Sequence, residues 1–105
     1  MVLDAGKAIR IFDALAQEHR LAIVRLLSRQ GESGAPAGAI ADALGVPGSS
    51  LSFHLGQLRN VGLVRQERRS WSLVYSVDRR ILEAVVRYLL EQCCTPDHAE
   101  AEYCA

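Results

Sequence analysis

Two groups of residues in this chain have types and spacings that could do chemistry. The first is the run Val46 to Val64, VPGSSLSFHLGQLRNVGLV. Read as a helix from Ser49 to Asn60, it sets Leu51, Leu55 and Leu58 on one stripe at i, i+4, i+7 spacing, a face made for burial. Ser49, Ser50, Phe53, Gly56 and Gln57 then point away from the stripe, with Ser52 and His54 on its flanks. Small hydroxyls, an amide, an imidazole and a lone aromatic make a surface suited to base edges and phosphates. The second group is Cys93, Cys94 and Cys104. The N-terminus lacks a basic stretch followed by an apolar one, so the expectation is a cytoplasmic chain without a signal peptide. In that compartment clustered cysteines read as thiols with chemistry rather than a structural disulfide set.

The elements around the first group must hold it in place. Ala37 to Gly45 gives a shorter helix with Ile40 and Leu44 at i, i+4, and Gly45 to Pro47 separate it from the longer one. A short helix, a tight turn with glycine, and a helix with a polar outer face form a helix-turn-helix. Gly62 is a helix stop. Upstream, Lys7 to Ala16 is a helix with Ala8, Ile11, Phe12 and Leu15 on one face. Glu18 to Arg29 carries Leu21, Ile23, Val24, Leu26 and Leu27 nearly all round, which predicts a central buried helix. Gln30 to Pro36 reads as a loop. Downstream, Leu63 to Arg68 and Trp71 to Val77 are strand-like runs joined at Arg69 and Ser70, a β-hairpin with Arg68 and Arg69 at its tip. Asp78 is a suitable N-cap for a last helix from Arg79 to about Cys93, which Thr95 and Pro96 end.

The expected fold class is therefore mainly α: a winged helix-turn-helix of four helices, a β-hairpin wing and a C-terminal helix. Residues 1–92 are expected to form a DNA-binding and dimerisation domain, and residues 93–105 a cysteine-containing tail. The last helix carries Leu82, Val86 and Leu89 on one line and Ile81, Val85 and Tyr88 on the next. That apolar face is wider than so small a domain uses. Two readings follow, a homodimer through the first and last helices or a cover for the monomer's own core, and the dimer is favoured.

At 105 residues the chain has room for one modest core. Its formal net charge of zero conceals a local imbalance. All 12 basic residues precede Cys93, whereas Asp97, Glu100 and Glu102 lie in the tail. From Gly48 to Arg80, Arg59, Arg65, Arg68, Arg69, Arg79 and Arg80 face only Glu67 and Asp78. A nucleic-acid partner responds to that local charge. Glu83 and Arg87 interrupt the longest apolar segment, Ile81 to Leu90, so no membrane partner is expected. No nucleotide loop, triad spacing or carboxylate pair is present, which argues against an enzyme and against an organic cofactor.

The runs EHRLAIVRLLSRQG and AGAIADALGVPGSSLSFHLGQLRNVGLVRQERRSWSLVYSV resemble the ArsR/SmtB family of bacterial metalloregulatory repressors from about Ile9 to Cys94. The resemblance implies a homodimer whose fourth helix enters the major groove of double-stranded operator DNA and which leaves the operator when an inducer binds. By position, Ser49, Ser50, Ser52, His54 and Gln57 would contact DNA, and Arg68 and Arg69 would lie in the wing. Gly48 stands where the family often has a glutamine. Phe53 replaces a residue often basic or polar, and would either meet a thymine methyl or pack on the neighbouring helix.

The third helix has no cysteine, and no histidine follows Asp78 before His98, so two of the family's metal sites are missing. Cys93, Cys94 and Cys104 remain, and they resemble the C-terminal arsenic sites of some members. Three thiolates without a fourth ligand suit trivalent arsenic, as arsenite, with antimonite as a second candidate. Three alternatives stay open. His98 could complete a zinc or cadmium site. Cys94 and Cys104 could form a reversible disulfide in a redox or persulfide sensor. Cys93 could be only a small buried hydrophobe and Cys104 idle.

Overall fold

The computed structural model describes residues 3–91. Its first helix, α1, is Ala5–Leu15. It begins two residues earlier than the apolar pattern predicts, because Asp4 caps it: the carboxylate accepts the Lys7 N–H at 2.8 Å. The second, α2, is Glu18–Gln30, capped by Gln17, whose side-chain oxygen accepts the Arg20 N–H at 2.9 Å. Its Ile23, Val24, Leu26 and Leu27 are buried, but Leu21 is exposed. The helix is central on one side only, which corrects the expectation of burial nearly all round.

The stretch after α2 is not a plain loop. A 3-10 turn over Gly31–Ser33 leads to Gly34, and then to a two-residue strand, β1, Ala35–Pro36. Gly34 has φ +62°, and a Cβ there would lie 2.3 Å from the Tyr75 carbonyl oxygen. Only glycine permits so close a pass. Pro36 sits at the sheet edge, where its missing N–H costs no ladder bond.

Next come α3, Ala37–Leu44, and α4, Gly48–Asn60. The expected stripe is in place: Leu51, Leu55 and Leu58 are buried in α4, and Ile40 in α3. Gly62 takes φ +81° just past α4 and donates its N–H to the Arg59 carbonyl at 3.0 Å, so the helix stops there. Strands β2, Val64–Arg69, and β3, Ser72–Val77, pair antiparallel from Val64↔Val77 to Arg69↔Ser72. The turn is therefore Ser70 and Trp71, one residue later than expected, with Ser70 at φ +56°. Pairing with Ser72 keeps Arg69 in the ladder, and the apolar alternation through Trp71 does not carry that residue into the strand. The sheet order is β1-β3-β2, with Ala35 opposite Tyr75 and Pro36 opposite Val74.

The last helix, α5, is Arg79–Leu90, and Asp78 caps it as expected by accepting the Arg80 N–H at 3.1 Å. Its expected continuation to Cys93 lies outside the described residues, as do Cys94, His98 and Cys104. At the base of the wing the Leu63 carbonyl accepts the Asp78 N–H at 2.8 Å, which joins the start of the hairpin to the start of α5. Ile23, Leu27, Ile40, Leu51, Leu58 and Leu63 are the largest fully buried side chains. They come from α2, α3, α4 and the entry to β2. The core is thus the underside of the helix-turn-helix, and burying it sets the outer face of α4.

Candidate nucleic-acid interface

The turn before α4 is anchored by Val46, which is buried and donates its N–H to the Ala41 carbonyl at 3.1 Å. Pro47 opens α4, and no side chain caps the helix. Its first N–H groups keep the partial positive charge that favours a phosphate. Ser49, Ser50 and Ser52 are exposed and Gln57 is half-buried. Phe53 is 60% exposed, so most of its ring faces outward. Its ring meets His54 edge-on with centroids 5.8 Å apart. Gly56 has open space around it.

His54 takes a different place from the serines. It is half-buried against α2, where Arg20 Nη1 lies 3.3 Å from its Nδ1. A guanidinium can only donate, so Nδ1 is the acceptor and the neutral ring carries its proton on Nε2. Arg20 Nε also donates to the Ala14 carbonyl at 2.7 Å, so one side chain joins α1, α2 and α4. The His19 ring lies 5.4 Å from that of His54. Burial first, then the charge of Arg20, then His19, lower the His54 pKa from its ordinary 6.5. The sequence offers no local sign of this contact, since Arg20 is 34 residues away.

The two wing arginines differ as well. Arg68 is exposed. Arg69 folds back: Nη1 donates to the Ser33 carbonyl and Nη2 to the Glu32 carbonyl, each at 2.9 Å, and Nε bonds Glu67. It ties the wing to the 3-10 turn, so less of it is available to a phosphate than its position at the tip implies. Two exposed residues outside the expected set lie on the same hairpin, Arg65 near the base of β2 and Trp71 in the turn. Trp71 reads as a strand residue in sequence, and only the register moves it to the tip.

A second surface lies on α1 and α5. Ile9 is 64% and Leu89 61% exposed, and Val86 is exposed as well. Beside them a groove of about 730 Å³ runs between α2, the base of the wing and α5, with Leu27, Val77, Leu82 and Val86 among its lining. Among the described residues no group of three or more His, Cys, Asp or Glu side chains could hold a metal. No described helix is long and apolar enough to cross a membrane.

A family model described as a helix-turn-helix domain matches residues 8–67. The HTH-type transcriptional regulator YgaV of Escherichia coli is 29% identical over 91 residues, covering 87% of this chain and 90% of that protein. The structure of HlyU from Vibrio cholerae is 27% identical with a TM-score of 0.69, covering 90% of this chain and 100% of that one. A structure described as reduced HlyU of the same organism has 27% identity and a TM-score of 0.67, covering 87% and 93%. The homodimeric winged helix-turn-helix DNA-binding domain of a possible ArsR-family regulator from Mycobacterium bovis is 28% identical. Its TM-score is 0.67, with 93% of this chain and 86% of that one covered.

Proposed function

This chain belongs to the helix-turn-helix domain family, as a transcriptional regulator of the ArsR/HlyU winged-helix type and not an enzyme, and on that premise we propose that it is a cytoplasmic homodimeric repressor released from its operator by trivalent arsenic. The observation that carries the DNA reading is the build of α4. Its leucines are sunk in the core, while Ser49, Ser50, Ser52 and Phe53 stand in water on a helix with an uncapped N-terminus. Gln57 and Arg68 extend that surface, His54 supports it from the flank, and Arg69 holds the wing that carries Arg68. The exposed apolar residues of α1 and α5 supply a self-complementary seam. The homodimeric Mycobacterium bovis domain is built on the same fold.

The inducer reading rests on the sequence. Cys93, Cys94 and Cys104 would supply three soft thiolates, and trivalent arsenic (arsenite, with antimonite behind it) takes three such ligands without a fourth. A second reading, reversible oxidation of the same thiols, is favoured by the relative whose structure is described as reduced HlyU.

One experiment separates the two. The reduced dimer on labelled operator DNA is titrated with arsenite, then with peroxide, while sulfur-to-arsenic absorption is followed. Release by arsenite with the absorption band supports the arsenic reading, and release by peroxide alone supports the redox reading. Cys93→Ser or Cys94→Ser should abolish the arsenite response. Cys104→Ser should weaken it while sparing singly methylated arsenite, which has only two positions open to thiolates. A Cys104→Ser variant with the wild-type arsenite response would remove Cys104 from the site.

A further inference from the structure

Trp71 is 97% exposed, more than any other large apolar side chain among the described residues. An indole placed in a core ordinarily removes some 150–250 Å² from water, and this fold leaves that gain untaken. Strand parity puts position 71 on the same sheet face as Tyr75, which is buried, and Val77, which is half-buried. The ladder closes at Arg69↔Ser72, however, so Trp71 stands beyond the last pair and beyond the core.

The tip that presents it is braced. Ser70 sits at φ +56° in a two-residue turn, and Arg69 ties the end of β2 to the carbonyls of Glu32 and Ser33. Those bonds span more than thirty residues of sequence and hold the tip against the body of the domain. The tip is a fixed mount for an aromatic ring.

The surroundings identify what the ring fits. Arg68 is exposed beside it, and Ser70 and Ser72 flank it, with Leu73 as the one exposed apolar neighbour along the same face. An isolated indole within a basic and hydroxylated rim lacks the contiguous apolar area a protein partner needs. The exposed apolar residues that suit a second copy lie on α1 and α5 instead. A duplex groove offers the complement: phosphates for Arg68 and the apolar edges of sugars and bases for a flat ring.

We infer that Trp71 is an aromatic wedge through which the wing contacts the groove of double-stranded DNA next to the site read by α4. The inference rests on the reading of the chain as a DNA-binding regulator and assigns a wing contact beyond the arginines.

Trp71 is the only tryptophan of the chain, so its emission reports this one site. The probe is a labelled duplex selected from a random-sequence library on the wild-type chain. Its anisotropy measures binding, and tryptophan emission is recorded in the same titration. The expected result is quenched or blue-shifted emission that saturates together with the anisotropy. Trp71→Ala should bind about tenfold more weakly, in line with the loss of one aromatic–base contact, and Trp71→Phe should recover most of that loss. Saturating anisotropy with unchanged emission and wild-type affinity for Trp71→Ala would overturn the inference and leave the DNA reading standing. Failure of any duplex to bind would overturn both. Emission that shifts with protein concentration in the absence of DNA would place the indole between two copies and also overturn it.

Discussion

Nη1 of Arg20, on α2, lies 3.3 Å from Nδ1 of His54, on α4, and the same guanidinium holds the Ala14 carbonyl of α1 through Nε at 2.7 Å. The helix with the DNA-suited face is thus pinned to the first two helices by one charged side chain. A hydrogen bond that includes an ionised partner is stronger than a neutral pair. This one exists only while the His54 ring is neutral.

Folding lowers the proton affinity of His54, through burial first and then the nearby charges of Arg20 and His19. Above 6.5, its ordinary value, the ring is neutral whether the chain is folded or not. As pH falls through 6.5 the unfolded chain takes up the proton first, and the folded state loses stability until the pH passes the lowered value. Urea denaturation at about pH 7.5 and about pH 5.5 should show that loss. His54→Gln, which keeps an acceptor and cannot titrate, should flatten it. An unchanged pH slope in that variant would remove His54 as its source.

Ser50 and Arg68 are both exposed and should behave differently toward DNA. Ser50→Ala should weaken the operator complex about tenfold and leave non-specific binding alone, because α4 carries base readout. Arg68→Ala should weaken both and lower the salt dependence by about one phosphate contact per subunit. Binding isotherms at several salt concentrations on operator and random duplex measure both effects. The same loss of specificity from both variants would contradict the division of roles.

Leu89 is 61% exposed on α5, in the proposed seam. Leu89→Asp would bury an unpaired charge there at a cost of several kcal/mol, enough to split the dimer. Sedimentation should give a dimer for the wild type and a folded monomer for the variant. A monomeric wild type at micromolar concentration would rule the seam out.

Two glycines should respond in opposite directions to alanine. At Gly34 the new Cβ would lie 2.3 Å from the Tyr75 carbonyl oxygen at φ +62°, so Gly34→Ala should cost more than about 2 kcal/mol. At Gly56 nothing lies within 4 Å, and Gly56→Ala should stabilise α4 by about 0.5–1 kcal/mol. Denaturation midpoints test both. A fall in operator affinity for the more stable Gly56→Ala would show that DNA approaches the backbone at that position.

The sequence by itself determined the five helices and the two wing strands, and the buried stripe of the helix-turn-helix. The spacing of Leu51, Leu55 and Leu58, the cap at Asp78 and the stop at Gly62 are local, because helix periodicity and capping join residues at most a few positions apart. The resemblance to a winged helix-turn-helix repressor family drew on the same local features. The tertiary structure alone decided which long side chains stay free to meet a partner. Ala35 and Pro36 became a strand because Tyr75 and Val74 came alongside, and Arg69 was drawn off the tip by carbonyls at Glu32 and Ser33. Arg20 claimed a side of His54, and a one-residue shift in the hairpin put Trp71 into water. Each of these contacts spans roughly 34 to 40 residues, or turns on strand register, so no window of sequence contains both partners. The backbone's inner face is written locally, and the chemistry of its outer face depends on what folding brings beside it.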